Sequence, residues 1–229
     1  MVDTYRPADL VARRRGGPLY TDRVSNTLGA CFAAPAANRG VHPSTVTLAS
    51  LLVGLASSGV VAFGGGAWWA GLVGLVGWQV AYALDCADGQ LARATGKATP
   101  YGARLDVLCD LAVQAGVLGA IATLAIRKGH LHPAVVGAFA ALWLVNLFLS
   151  TLNKTEGGEG HSLITSSSLP VKIVKLVRDY GALIAVVGLL ATAWPAGMKW
   201  FVVAMTAVNG LFLLASIGRE ARLSLRGIA

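Results

Sequence analysis

The chain has 229 residues, of which 55% are hydrophobic and 13% charged, and its formal net charge is +8. A soluble domain of this size carries about 25% charged residues, so the composition excludes an ordinary water-soluble globule and points to an all-α, lipid-embedded protein. The positive charge does not call for nucleic acid, because it gathers on one side of the membrane once the spans are placed.

Residues 1–44 are polar and basic, with Arg13, Arg14 and Arg15 in a row and no apolar opening of the secretory kind. They read as a cytoplasmic juxtamembrane segment. Asp9 to Gly40 suits either a short amphipathic helix on the membrane surface, with Leu10, Val11, Leu19, Val24 and Leu28 facing lipid, or a solvated tail. Gly16-Gly17-Pro18 breaks any long helix there.

Six apolar runs follow, each near the roughly 20 residues that cross a hydrocarbon core. They cover residues 45–64, 67–88, 103–126, 133–152, 177–195 and 200–218. The fifth is the weakest, since Arg178 and Asp179 stand at its start. The expected organisation is a six-helix transmembrane catalytic domain over 45–218 and a cytoplasmic tail over 219–229. Six crossings place both termini on one side. All of the 19 Lys and Arg except Arg127, Lys128 and Lys199 fall on that side, which makes it cytoplasmic and the chain a multi-pass cell-membrane protein. Cys31, Cys86 and Cys109 are too scattered for a disulfide framework. His42, His130, His132 and His161 form no ligand pair on one helix face.

The stretch DCADGQLARATGKATPYGARLDVLCD, Asp85 to Asp110, sets four aspartates into this oil. A helix turns about 100° per residue, so Asp85, Asp88, Gly89 and Ala92 share one face, and Gly102, Asp106 and Asp110 share another. Gly96 and Pro100 break the helix between them, and so short a connection predicts two antiparallel neighbours with facing acids. Trp68 and Trp69 mark the outer interface, and Asp85 lies roughly 25 Å deeper. Asp106 lies roughly 30 Å below Ile126, so both groups reach the cytoplasmic interface. Four carboxylates at one level repel each other, and a divalent cation relieves that repulsion. Oxygen-only donors favour Mg²⁺, Mn²⁺ or Ca²⁺ over zinc, and acids inside a membrane usually mark function. Arg93 is placed to reach a phosphate at the helix end.

The run Asp85-x-x-Asp88-Gly89-x-x-Ala92-Arg93, eight residues, Gly102-x-x-x-Asp106-x-x-x-Asp110 resembles, without a gap, the signature of CDP-alcohol phosphotransferases. Pro43-Ser44-Thr45-Val46-Thr47 is similar to the family's opening of the first span, with serine where asparagine is usual. The resemblance implies a phospholipid-synthesis transferase. Such an enzyme moves a substituted phosphoryl group from a CDP-linked donor, here CDP-diacylglycerol, to a hydroxyl acceptor and releases CMP. It implies two Mg²⁺ or Mn²⁺ ions on Asp85, Asp88, Asp106 and Asp110, with Asp110 also the general base. It puts Gly89 and Ala92 against cytidine and ribose, Arg93 on the diphosphate and Thr47 on the nucleotide. The implied partners are the bilayer, the lipid donor, a small polar or lipid alcohol as acceptor, and a second copy of the chain.

The basic residues Lys154, Arg178 and Arg219 are candidate contacts for the acceptor. A CDP-linked headgroup transferred to diacylglycerol is an alternative within the same chemistry. A cation or proton transporter is an alternative of another class, but all four acids cluster at one interface and no inverted repeat shows in the hydropathy. A calcium loop fails, because Ala87 and Gly96 occupy its third and twelfth positions.

Overall fold

The computed structural model describes residues 4–12, 18–155 and 179–225, and its regular elements are all helical. They are α1 (Pro7–Val11), α2 (Asn26–Asn38), α3 (Pro43–Phe63), α4 (Trp68–Thr95), α5 (Pro100–Arg127), α6 (Pro133–Thr155), α7 (Tyr180–Ala193) and α8 (Met198–Leu225). A single π turn, Thr21–Ser25, leads into α2. Arg178, a candidate acceptor contact, lies outside the described residues.

Local chemistry sets the ends. Proline occupies the first helical position of α3, α5 and α6, where its missing N–H costs nothing. His42 caps α3 by accepting from the Ser44 N–H at 3.2 Å, and Thr99 caps α5 by accepting from the Gly102 N–H at 3.0 Å. Helix α4 stops at Gly96, which takes the left-handed conformation (φ +67°) that glycine adopts freely.

Four segments are long and apolar enough to cross a membrane: α3, α4, α5 and the run Pro195–Arg222. The apolar part of α6, Pro133–Phe148, and α7 are shorter. At 14 residues α7 spans about 21 Å, because Asp179 and Trp194 bound it.

Small residues decide which helices touch. A Cβ at Gly71 of α4 would fall 2.4 Å from the Ala191 backbone of α7, and one at Gly188 of α7 would fall 2.6 Å from Leu75 Cα. These two helices therefore cross backbone to backbone, as small residues permit between membrane helices. On α3, Gly54 receives the Val113 side chain of α5, while Ser57 sits against Gly77 of α4. Helix α3 thus packs against both α4 and α5.

Helices α4 and α5, expected as direct antiparallel neighbours, make their main contacts through α3 instead, while the expected facing of their acids holds, since the Asp85 and Asp106 carboxyls are hydrogen-bonded across the gap. The physical reason is that the glycine notches lie on the α3-facing sides of α4 and α5, whereas Asp85, Asp88, Asp106 and Asp110 border clefts.

The main core joins Val61, Trp78, Ile121, Phe139, Ile184 and Val202, with Phe139 edge-on to Trp143 and Phe201 at 5.6 and 6.4 Å between ring centroids. A second cluster ties the N-terminal segment to the bundle. Leu10 is fully buried there with Ala30, Ala33, Ala34, Val46, Ala87 and Leu91. Neither a lipid-facing Leu10 on a surface helix nor a solvated tail describes this residue: the alanine-rich face of α2 covers it. Leu19 and Leu28 are exposed, as a surface helix requires.

Candidate active site

The site lies between the connected ends of α4 and α5, and it has two sides. On one side a cleft of about 160 Å³ is lined by Thr47, Asp88, Gly89, Ala92, Arg93 and Asp106, with His42, Ser44, Lys97, Thr99 and Gly102 at its margin. Every nucleotide-site residue expected from the sequence is therefore in one place. The Thr47 hydroxyl donates to Asp88 Oδ2 across the α3–α4 interface, and Asp88 is buried. A side chain at Gly89 would meet the Arg93 guanidinium at 3.1 Å. The guanidinium thus folds back over Gly89, and its charge acts on Asp88.

On the other side a larger cleft, about 260 Å³, is lined by Asp85, Asp110, Gln114, Tyr82, Tyr180 and residues of α6 and α8. Gln114 Nε2 donates to both Asp110 oxygens at 3.1 Å, and Trp143 Nε1 donates to Gln114 Oε1 at 3.4 Å. Asp110 is thereby held through a chain that ends on an indole. Between the clefts, the Asp85 and Asp106 carboxyls are hydrogen-bonded across the gap, and Asp85 also feels the charges of Asp110 and Asp88. The four carboxyls form one electrostatic unit.

Among the described residues no three His, Cys, Asp or Glu are drawn together tightly enough to hold a cation as they stand. Each carboxyl engages the protein: Asp88 with Thr47, Asp110 with Gln114, Asp85 with Asp106. The donor set nevertheless suits a hard divalent ion. The four carboxyls supply only oxygen, and they come from two helices that border the clefts.

A buried carboxylate outside the motif supports the larger cleft. Asp179 is fully buried and caps α7 by accepting from the Gly181 N–H at 3.1 Å. It also accepts from the Tyr20 and Thr21 amides at 2.8 and 3.0 Å and from the Thr21 hydroxyl at 2.5 Å. The Thr21 hydroxyl proton goes to Asp179, so Tyr82 O–H donates to Thr21 Oγ1 at 3.1 Å. Tyr82 in turn stands edge-on to Tyr180 at 5.1 Å. The clasp fixes both tyrosines that line the cleft.

Of the basic residues expected near an acceptor, Arg219 pairs with its neighbour Glu220 at 3.8 Å, both well exposed, and it is not on the lining of either cleft. Lys154 belongs to α6, and Arg178 lies outside the described residues. Sequence reasoning missed His42 and Lys97, which border the smaller cleft, and Gln114, Asn146 and Asn209, which line the larger one. The available signal was three amides inside apolar spans, where a polar group needs a partner.

Comparison with curated proteins gives no match. The family model described as CDP-alcohol phosphatidyltransferase matches residues 40–208, which takes in α3 through α7, the smaller cleft, the larger cleft apart from Asn209, and all four aspartates. With apolar helices long enough to cross a bilayer on either flank of the carboxylates, the chain is a membrane protein that belongs to the CDP-alcohol phosphatidyltransferase family of transferases.

Proposed function

We propose that the chain transfers a phosphatidyl group from CDP-diacylglycerol to the hydroxyl of an acceptor alcohol and releases CMP. The observation that carries this reading is the arrangement of two clefts on opposite sides of one carboxylate group. The smaller presents Thr47, Gly89, Ala92 and Arg93 beside Asp88 and Asp106, and the larger presents Asp110. One reactant fits each side, and the reacting phosphorus falls between them.

In this reading Gly89 and Ala92 leave room for the cytidine and ribose, and the Arg93 guanidinium pairs with the diphosphate. Thr47 holds Asp88 in place. Gln114 orients the Asp110 carboxylate toward the acceptor side. The acceptor oxygen bonds to the phosphorus that carries the diacylglycerol. The bond from that phosphorus to the oxygen bridging to CMP breaks, CMP leaves with the electron pair, and the hydroxyl proton passes to Asp110. Asp85, Asp88, Asp106 and Asp110 would hold two Mg²⁺ or Mn²⁺ ions. Such ions neutralise pyrophosphate charge and stabilise the entering and leaving oxygens. The rest of the catalysis is positioning.

The lipid tails remain in the bilayer while the headgroup meets water at the level of the aspartates. Six crossings, counting α6 and α7 with the four longer segments, give cytoplasmic termini and a cytoplasmic active site. The small-residue surfaces also suit association with a second copy.

The test is Mn²⁺ binding by electron paramagnetic resonance together with CDP binding by calorimetry, on purified protein in detergent. Two Mn²⁺ per chain are expected, with CDP bound only when metal is present and both lost in Asp88→Asn. CDP binding that ignores metal, or Mn²⁺ binding that survives Asp88→Asn unchanged, contradicts the assignment.

A further inference from the structure

We propose that the larger cleft is built for an uncharged, hydroxylated acceptor, and that Asn146 and Asn209 are the residues that read its hydroxyls. The proposal rests on the transferase reading above and specifies its second substrate.

The inward stripes of α6 and α8 are apolar along most of their length. Val136, Phe139 and Trp143 on α6, and Met198, Val202 and Met205 on α8, are buried. At the level of the carboxylates each stripe changes to an asparagine. Asn146 and Asn209 are each 6% exposed, and both line the cleft that holds Asp85 and Asp110. The Asn146 amide is oriented by its own nitrogen, which donates to Leu142 O at 2.8 Å and to Asn209 O at 3.3 Å. That orientation leaves Asn146 Oδ1 buried with no partner, and Asn209 Nδ2 is buried with no partner either. Buried polar groups are nearly always hydrogen-bonded, so an orphan acceptor and an orphan donor on one cleft point to a ligand.

The pair also says which ligand. A hydroxyl donates one hydrogen bond and accepts others, which satisfies Asn146 Oδ1 and Asn209 Nδ2 together. A phosphate dianion only accepts. It would satisfy Asn209 and set its charge against Asn146 Oδ1. The electrostatics agree. Both linings carry two carboxylates, Asp88 and Asp106 in the smaller cleft and Asp85 and Asp110 in the larger; the smaller adds Arg93 and Lys97, whereas the described lining of the larger one adds no Lys or Arg. The cations of the described lining thus stand on the diphosphate side, and the amides on the side of the alcohol. Leu147, Leu183 and Met205 on the same lining admit either a soluble polyol or the hydroxyl end of a lipid alcohol.

The experiment uses full-length protein in detergent with Mg²⁺. One arm measures CMP release from CDP-diacylglycerol with glycerol or myo-inositol, and from the same donor with glycerol 3-phosphate or inositol phosphate. Another arm supplies CDP-choline with diacylglycerol. An unphosphorylated acceptor is expected to exceed its phosphorylated counterpart in kcat/KM by about tenfold or more. Asn209→Leu is expected to raise the KM for that acceptor about tenfold and leave the KM for the donor unchanged. Asn209→Ser, which keeps a hydrogen-bonding group, recovers part of the loss.

A second readout does not need turnover. Trp143 lies on the cleft, so its fluorescence should shift on titration with the preferred acceptor, and the shift should vanish in Asn209→Leu and in Trp143→Phe. A preference for phosphorylated acceptors overturns the proposal and leaves the transferase standing. So does an unchanged acceptor KM and an unchanged titration in Asn209→Leu. A polyol titration without CMP release in any arm supports the pocket and removes the transferase reading. Neither signal removes both.

Discussion

Thr47 shows how the site depends on residues that carry no charge. Its hydroxyl reaches from α3 to Asp88 on α4, so a side chain outside the acidic motif fixes one of the four carboxylates. Thr47→Val keeps the volume and removes that hydrogen bond. It should weaken CDP binding by about 10- to 150-fold, which corresponds to the roughly 1.5–3 kcal/mol of a hydrogen bond to a charged group. Arg93→Ala should raise the KM for the CDP-linked donor by more than tenfold, and Arg93→Lys should recover only part of it, because an ammonium lacks the bidentate fork. Steady-state kinetics with the donor varied at fixed acceptor measures both. An effect confined to kcat would argue that neither residue contacts the donor side.

At the scale of the elements, Asp179 joins three parts of the chain. It caps α7, holds the Tyr20–Thr21 backbone and, through Thr21, orients Tyr82. Asp179→Ala leaves those donors unpaired in a buried place and should cost about 3 kcal/mol or more, read as a lowered midpoint of thermal unfolding in detergent. An unchanged midpoint would show that the clasp is not formed. Gly71→Leu should be equally disruptive, since the added side chain has the Ala191 backbone in its path.

The sequence made the helices themselves legible. The apolar runs at 45–64 and 103–126 reappear as α3 and α5 with ends shifted by at most three residues, where proline at N1 is a local signal, and the run at 200–218 reappears in α8, which continues seven residues further to Leu225. Asp88, Gly89, Ala92, Arg93 and Asp106 of the motif, with Thr47 of the first span, line one cleft. What it did not show was the insertion of α3 against both α4 and α5. That arrangement follows from which side of each helix carries Gly54, Gly77 and Gly116, a three-dimensional match that spacing within one helix does not encode. The lipid-facing alternative for Leu10 fails for a related reason. An apolar face reads the same whether lipid or the alanines of α2 cover it. Asn146 and Asn209 were passed over because a lone amide has no motif, and their meaning appears only when α6 and α8 bring them together.

At the scale of the whole molecule, the asymmetry of Lys and Arg predicts cytoplasmic termini. Arg222 and Lys199 stand near opposite ends of α8. In a cysteine-free background, Lys199→Cys should react with a membrane-impermeant maleimide on intact cells, and Arg222→Cys should react only after permeabilisation. The reverse pattern would invert the topology and place the carboxylates on the outer face.

The account as a whole stands on acceptor-dependent chemistry at the carboxylates. The measurement that tests it most directly is CMP release by the purified protein in detergent with Mg²⁺, CDP-diacylglycerol and a panel of hydroxyl acceptors, with Asp110→Asn alongside. The account predicts CMP release that needs the acceptor, stops on chelation of the metal, and falls by about 10²- to 10⁴-fold in Asp110→Asn, the range that a general base contributes. CMP release that is unchanged in Asp110→Asn, or none with any acceptor and none from a CDP-linked headgroup with diacylglycerol, would contradict it.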